Sequence, residues 1–113
     1  MRHARILHSI DQLNEIDRLS GSSDHVGVLI FKHSTRCYVS SSAYRKLEND
    51  WDFGEDLPLY YLDLIRHRDV SDAISRRYGV DHESPQVILV KNGMAVGNAS
   101  HHLVSVEEVK NWL

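Results

Sequence analysis

The feature that most constrains the fold is a short run of residues, from Val26 to Lys32, that is apolar at nearly every position. A half-exposed strand alternates apolar and polar residues, because successive side chains point to opposite faces of the sheet. A run that is apolar on both parities is typical of a strand covered on both faces. The chain therefore needs a sheet with helices on each side, which indicates an α/β fold.

Apolar spacing elsewhere predicts the elements around this strand. The first helix is predicted to start at the capping-box pattern of Ser9 with Gln12 and to end at Ser20, and helical spacing predicts further helices at 38–51, 69–78 and 105–113. Strands are predicted at 57–64, at 86–91, from 94 onward and, as a short additional strand, at 5–7. The dipeptide Asn92-Gly93 is a strong hairpin signal between the last two long strands. This order predicts parallel strands joined by helices, followed by a closing antiparallel hairpin.

Capping residues also locate the starts of the last two helices. Ser105 with Glu108 forms a capping-box pattern at the start of the last helix, and we expect that helix to run through Leu113. Asp69 or Ser71 is the expected cap of the helix before it.

The composition is that of one globular domain, which we expect to span residues 1–113. Of these residues, 42% are hydrophobic and 26% are charged. The single cysteine, Cys37, excludes an internal disulfide and a multi-cysteine zinc site. The apolar runs are too short to cross a bilayer, and no apolar stretch of signal-peptide length follows the N-terminal basic residues. We therefore expect a soluble, cytoplasmic protein that does not bind membranes.

The net charge of −3 argues against a nucleic-acid partner, but the charges are unevenly distributed. No acidic residue occurs between Asp24 and Glu48, a stretch that contains Cys37 and four basic residues: Lys32, Arg36, Arg45 and Lys46. One interpretation is a chance gap in the acidic residues. The other is a local positive field around the thiol. The eight histidines lack metal-ligand spacing, so we predict neither a metal site nor a bound cofactor.

Cys37 lies between the first long strand and its helix, at the carboxyl end of the strand, where open α/β sheets bind ligands. A helix N-terminus stabilises a negative charge, and Lys32, His33 and Arg36 would add positive charge nearby. Both effects favour the thiolate, which is the attacking species in disulfide exchange. The alternative is a buried, inert cysteine, but the serines and threonine around Cys37 argue against burial.

The residue at position 40 determines which disulfide chemistry is available. A dithiol oxidoreductase needs a second cysteine three residues after the first, whereas this chain has Ser40 there. A hydroxyl cannot form a disulfide, so the second thiol must come from another molecule. Ser84-Pro85 stands just before the third long strand. The element order, the thiol at this turn and this proline together form the thioredoxin-like arrangement, in which we expect a cis proline facing the thiol and a mixed sheet of four to five strands.

Two segments resemble the YtxJ-like monothiol bacilliredoxin family. They are Phe31–Cys37, with the sequence FKHSTRC, and His82–Val87, with the sequence HESPQV. The resemblance covers nearly the whole chain. It implies a thioredoxin fold in which Cys37 is the nucleophile that removes bacillithiol from S-bacillithiolated proteins, with Ser40 in place of the resolving cysteine. The chain departs from the family after the cysteine, where Tyr38-Val39 replaces the usual Pro-Ile.

The same resemblance implies a set of substrate contacts. Bacillithiol serves as co-substrate, and its carboxylates would suit Lys32, Arg36 or the helix start near Ser105. Ser84, Pro85, Ser40 and His101 are the other expected contacts, and thiolated client proteins are the expected partners. Two alternatives remain open: an iron–sulfur carrier of the monothiol glutaredoxin type, and an interaction module in which Cys37 has no chemical role.

Overall fold

A mixed five-stranded sheet forms the centre of the structure, a computed structural model that describes residues 1–113. The strands are β1 (Ala4–Ile6), β2 (Val28–His33), β3 (Leu59–Asp63), β4 (Gln86–Lys91) and β5 (Met94–Ser100), and the helices are α1 (Gln12–Ser20), α2 (Tyr38–Asp50), α3 (Arg68–Tyr78) and α4 (Val106–Lys110). Short 3-10 turns cover Gly54–Asp56 and His101–Leu103. None of the helices combines the length and the apolar character needed to span a membrane.

The strand order across the sheet is β1-β3-β2-β4-β5. β1 and β2 pair with β3 in parallel, whereas β4 pairs antiparallel with β2 and with β5. All six residues of β2 are buried, as the apolar run predicts for a strand covered on both faces. The predicted α/β architecture, a mixed sheet flanked by helices, is confirmed.

The side chains of β2 point alternately into two hydrophobic cores, one on each face of the sheet. Val28 and Ile30 pack with residues of α1 and α3, whereas Leu29 and Phe31 pack with residues of α2 and α4. Lys32 and His33 continue this alternation, so their side chains lie on opposite faces of the sheet. This separation decides which of the two side chains can reach the surroundings of Cys37.

Several element boundaries differ from the prediction. β2 begins at Val28 rather than Val26, because Gly27 has a φ of 153°, which lies outside the range of a regular strand. β3 begins after Pro58, which has no N–H to donate to a neighbouring strand. The helix predicted to start behind an Asp69 or Ser71 cap instead has His67 as its N-cap residue.

Other local predictions are confirmed. The Ser105 hydroxyl accepts a hydrogen bond from the backbone N–H of Glu108 at 3.0 Å, although α4 ends at Lys110 rather than at Leu113. Asn92 and Gly93 have φ values of 52° and 75°, the positive values that a tight hairpin turn requires.

Candidate active site

Cys37 is the N-cap residue of α2 and has an extended backbone conformation. Its N–H donates to the Ser34 carbonyl oxygen at 3.2 Å, and its own carbonyl oxygen accepts from the N–H of Ser41 at 3.0 Å. The thiol is free and the residue is partly exposed. The predicted location at the end of a strand and the start of a helix is confirmed.

Ser40 lies one helical turn after Cys37 and is completely buried. Its Oγ accepts a hydrogen bond from the Ser34 N–H at 2.9 Å and lies 2.7 Å from Nδ1 of His33. These two contacts connect the strand end, the 34–37 turn and the first turn of α2. Ser40 therefore holds the backbone of the cysteine turn from the interior side of the helix.

His33 occupies the buried position beneath this turn. Its ring lies 5.4 Å from the Tyr44 ring and 5.6 Å from the rings of Phe31 and Tyr61, measured between centroids. Burial lowers the pKa of His33 below its ordinary value of 6.5, so the imidazole is neutral at pH 7. His33 thus supplies a hydrogen-bonding partner for Ser40 rather than a positive charge.

The Ser84–Pro85 peptide is cis, as predicted, and directly precedes β4. Gln86 pairs with Lys32, so Pro85 comes next to the carboxyl end of β2, the end of the strand that leads to Cys37. The Pro85 carbonyl oxygen accepts the His101 N–H at 2.9 Å. The loop before β4, which we call the proline loop (residues 81–85), therefore lies at the same end of the sheet as the thiol.

The 101–103 turn connects the proline loop to α2. Nε2 of His101 lies 3.2 Å from a carboxylate oxygen of Glu83, and Lys46 Nζ donates to the His102 carbonyl oxygen at 3.3 Å. Tyr38, beside the thiol, is 81% exposed, and Leu103 in this turn is 68% exposed. His101 thus lies beside the proline loop, and apolar side chains are accessible near that end of the sheet.

Lys32 and Arg36 have different environments, although the sequence predicts both as contacts for a substrate carboxylate. Arg36 is exposed in the turn before Cys37. Lys32 is 0% exposed, and its Nζ faces His82 and Gln86 on the α3 side of the sheet. The structure does not support a surface contact by Lys32. Nor does it support the combined positive field, because Lys32 lies on the far face and His33 is neutral.

Two features of the site were not predicted from the sequence. The His33–Ser40 pair could have been found from strand parity, since His33 shares its parity with Phe31 and therefore faces α2. The Lys32–His82 contact joins residues 50 positions apart, and no local pattern indicates it. The structure has no cluster of three or more His, Cys, Asp or Glu side chains arranged to hold a metal ion.

Comparison with known proteins agrees with this geometry. The family described as monothiol bacilliredoxin BrxC matches residues 6–109. Among solved structures, a candidate oxidoreductase with a thioredoxin fold is 32% identical, with a TM-score of 0.82 and coverage of 98% of this chain and 94% of that chain. Fasciola hepatica thioredoxin is 12% identical, with a TM-score of 0.73 and coverage of 95% and 93%, respectively.

A third similar structure, Malassezia sympodialis thioredoxin, is 16% identical, with a TM-score of 0.71 and coverage of 96% of this chain and 85% of that chain. The two thioredoxins are similar in fold alone. The predicted thioredoxin-like fold is confirmed, and the family match and the fold together indicate a thiol oxidoreductase. The chain belongs to the monothiol bacilliredoxin family.

Proposed function

We propose that this protein removes bacillithiol from proteins whose cysteines form a mixed disulfide with it, and that Cys37 is the nucleophile. The observation that carries this proposal is the pairing of one accessible thiol with a buried hydroxyl at position 40. No second thiol is available in the chain to close an internal disulfide. A disulfide transferred to Cys37 therefore persists until an external thiol removes it.

The proposed reaction has two thiol–disulfide exchange steps. The Cys37 thiolate attacks the bacillithiol sulfur of the mixed disulfide, a Cys37–bacillithiol bond forms, and the client sulfur leaves as a thiolate that takes a proton from water. A second bacillithiol thiolate then attacks the sulfur bound to Cys37. This step releases bacillithiol disulfide and restores the Cys37 thiolate, so the oxidising equivalent passes from the client to the small thiol.

The residues around Cys37 suggest how the substrate is held. Arg36 is exposed next to the thiol and could pair with a carboxylate of bacillithiol. The proline loop, with Ser84 and Pro85, offers backbone groups at the same end of the sheet, and the backbone N–H of His101 donates to the Pro85 carbonyl oxygen. Charge alone does not select bacillithiol over glutathione, since both are anionic, so the choice of thiol rests on the family assignment.

A comparison of two modified forms of one client protein tests the choice of thiol. The client is prepared with either bacillithiol or glutathione on the same cysteine, and release is followed by mass spectrometry with wild-type protein and with Cys37→Ala. We expect faster release of bacillithiol, and no release above background with Cys37→Ala. Equal rates for both thiols would contradict the bacillithiol assignment but leave monothiol exchange intact.

The same experiment separates the two alternative functions. Release that is unaffected by Cys37→Ala, or absent with the wild-type protein, would favour an interaction module. An iron–sulfur carrier would show visible absorption after anaerobic purification, and that absorption would be lost in Cys37→Ala.

A further inference from the structure

Lys32 is a buried lysine whose ammonium is held by side chains of the segment before and at the start of β4. Its Nζ lies 2.6 Å from Nδ1 of His82 and 3.2 Å from Oε1 of Gln86. Because an ammonium can only donate, Nδ1 of His82 accepts this hydrogen bond. The Ser71 hydroxyl in α3 lies 3.3 Å from the same nitrogen.

These contacts span both ends of the proline loop. His82 stands near the start of the loop, and Gln86 follows it as the first residue of β4. The Gln86 side-chain amide also donates to the Asp81 carbonyl oxygen at 3.1 Å. Lys32 and Gln86 therefore tie residues 81, 82 and 86 to the central strand, and Ser84-Pro85 lies between the tied points.

Lys32 does not resemble a residue that serves stability alone. Removing an ammonium from water costs several kcal/mol, and replacing buried charges with apolar groups of similar size is often neutral or stabilising. No carboxylate lies within ion-pairing distance of its Nζ, since the ion pairs in the structure involve other basic residues. What the ammonium does supply is donors that reach one acceptor in the proline loop, His82, and one directly after it, Gln86.

We propose that Lys32 is a positioning residue that holds the proline loop in the place from which it meets a disulfide bound at Cys37. This inference rests on the proposed exchange function. Lys32 itself touches neither substrate nor thiol, because it lies on the α3 face of the sheet. It acts through the loop backbone, which also carries the Pro85 carbonyl oxygen that accepts from His101.

If Lys32 positions the proline loop, its substitution should slow one reaction of Cys37, disulfide exchange, and leave another, alkylation, unchanged. Lys32→Met keeps the length and apolar stem of the side chain but removes its donors. Exchange with a bacillithiolated client needs the loop, so its kcat/KM should fall on the order of tenfold to a hundredfold. Alkylation of Cys37 by iodoacetamide needs only an accessible thiolate, and its rate should not change. An electrostatic role of the Lys32 charge would lower both rates together.

The matched control is Lys110→Met, which removes the same charge from an exposed lysine paired with Asp52. It should leave both reactions unchanged. His82→Ala provides a second variant, because it removes the acceptor on the exposed, loop side while Lys32 stays in place. If Lys32→Met does not fold, the test is made with His82→Ala, in which disulfide exchange should be slower and the alkylation rate of Cys37 unchanged.

Amide hydrogen exchange at His101 gives a readout that does not depend on activity. The His101 N–H donates to the Pro85 carbonyl oxygen. Its amide hydrogen should therefore exchange with solvent faster in Lys32→Met and His82→Ala than in the wild type, and at the wild-type rate in Lys110→Met. The positioning role would be overturned if the protection of the His101 amide were the same in these variants as in the wild type. It would also be overturned if the rates of disulfide exchange and of Cys37 alkylation fell in equal proportion. If the wild type itself shows no disulfide exchange, the proposed function fails, and His101 protection still decides whether Lys32 holds the loop.

Discussion

The Ser40 hydroxyl and Nδ1 of His33 form a buried contact of 2.7 Å beneath the turn that carries Cys37. Ser40 stands where a dithiol oxidoreductase would carry its second cysteine. The side chain at this position therefore has a structural role, since its hydroxyl contacts His33 and Ser34. The hydroxyl also accepts from the Ser34 N–H, so Ser40 holds the start of the cysteine turn against α2.

Ser40→Ala should destabilise the protein. The change leaves the Ser34 N–H and His33 Nδ1 without a partner, which costs about 1–3 kcal/mol for each buried polar group that stays unsatisfied. The free energy of unfolding, measured with urea, should fall by about 2–6 kcal/mol, the sum for the two groups. Ser42→Ala, in the same helix but outside this hydrogen-bond network, is the control and should change it little; equal values for the two variants would contradict the role of Ser40.

Ser40→Cys should create a dithiol site. If positions 37 and 40 face each other across one helical turn, mild oxidation should close a disulfide between them, and the intact mass should fall by two hydrogens. Ser41→Cys is the matched control, because the next position on a helix is rotated by about 100° from position 40. A Ser40→Cys variant that forms only mixed disulfides or dimers would show that the two side chains do not meet.

Neutral His33 should make the fold sensitive to acid. Burial lowers the pKa of His33 in the folded state below 6.5, so the unfolded chain binds more protons as the pH falls below that value. Folding stability from this group is thus present above pH 6.5 and is lost as the pH falls through the folded-state pKa. His33→Gln does not titrate and can still bond to Ser40.

The measured quantity is the difference in unfolding free energy between the wild type and His33→Gln. As the pH is lowered from neutrality, the unfolding free energy of the wild type should fall relative to that of His33→Gln. His82, whose pKa is also lowered by burial, is present in both proteins and cancels in the comparison. A difference that stays constant with pH would mean that His33 is not buried in its neutral form.

Lys32 should give stability a dependence on alkaline pH. Burial lowers the pKa of Lys32 from 10.5 to about 8, although the negative charges of Asp72 and Glu83 oppose the shift. Between these values the unfolded chain binds more protons than the folded one, so stability rises with pH. The wild type should gain stability relative to Lys32→Met from about pH 8 to 10.5; urea unfolding across this range checks the gain, and a flat difference would contradict it.

The parts of the fold that the sequence predicts are those determined by neighbouring residues. The apolar run before Cys37, the Asn92-Gly93 turn and the Ser105 cap each depend on a few adjacent positions, and each is found in the structure. The location of Cys37 follows directly, since a strand and a helix meet there. The start of β2 was misplaced because the positive φ of Gly27 is not visible in an apolar pattern.

The environment of the site depended on long-range geometry. Lys32 and His33 are adjacent in the chain and look equivalent as basic neighbours of Cys37. The sheet separates them, and the pairing of Lys32 with Gln86 then decides that the ammonium meets the proline loop. A count of charges along the sequence cannot anticipate this, because strand parity sends alternate side chains to different cores.

The most direct test of the account is a single-turnover reaction followed by intact mass. Excess wild-type protein is mixed with a bacillithiolated client, without free bacillithiol, and quenched with acid at intervals. We predict that the client loses its bacillithiol as the protein gains one bacillithiol on Cys37, at the same rate and in equal amount, and that Cys37→Ala gains none. Client release without an adduct on Cys37, or an adduct linking Cys37 to the client sulfur as the stable product, would contradict the account.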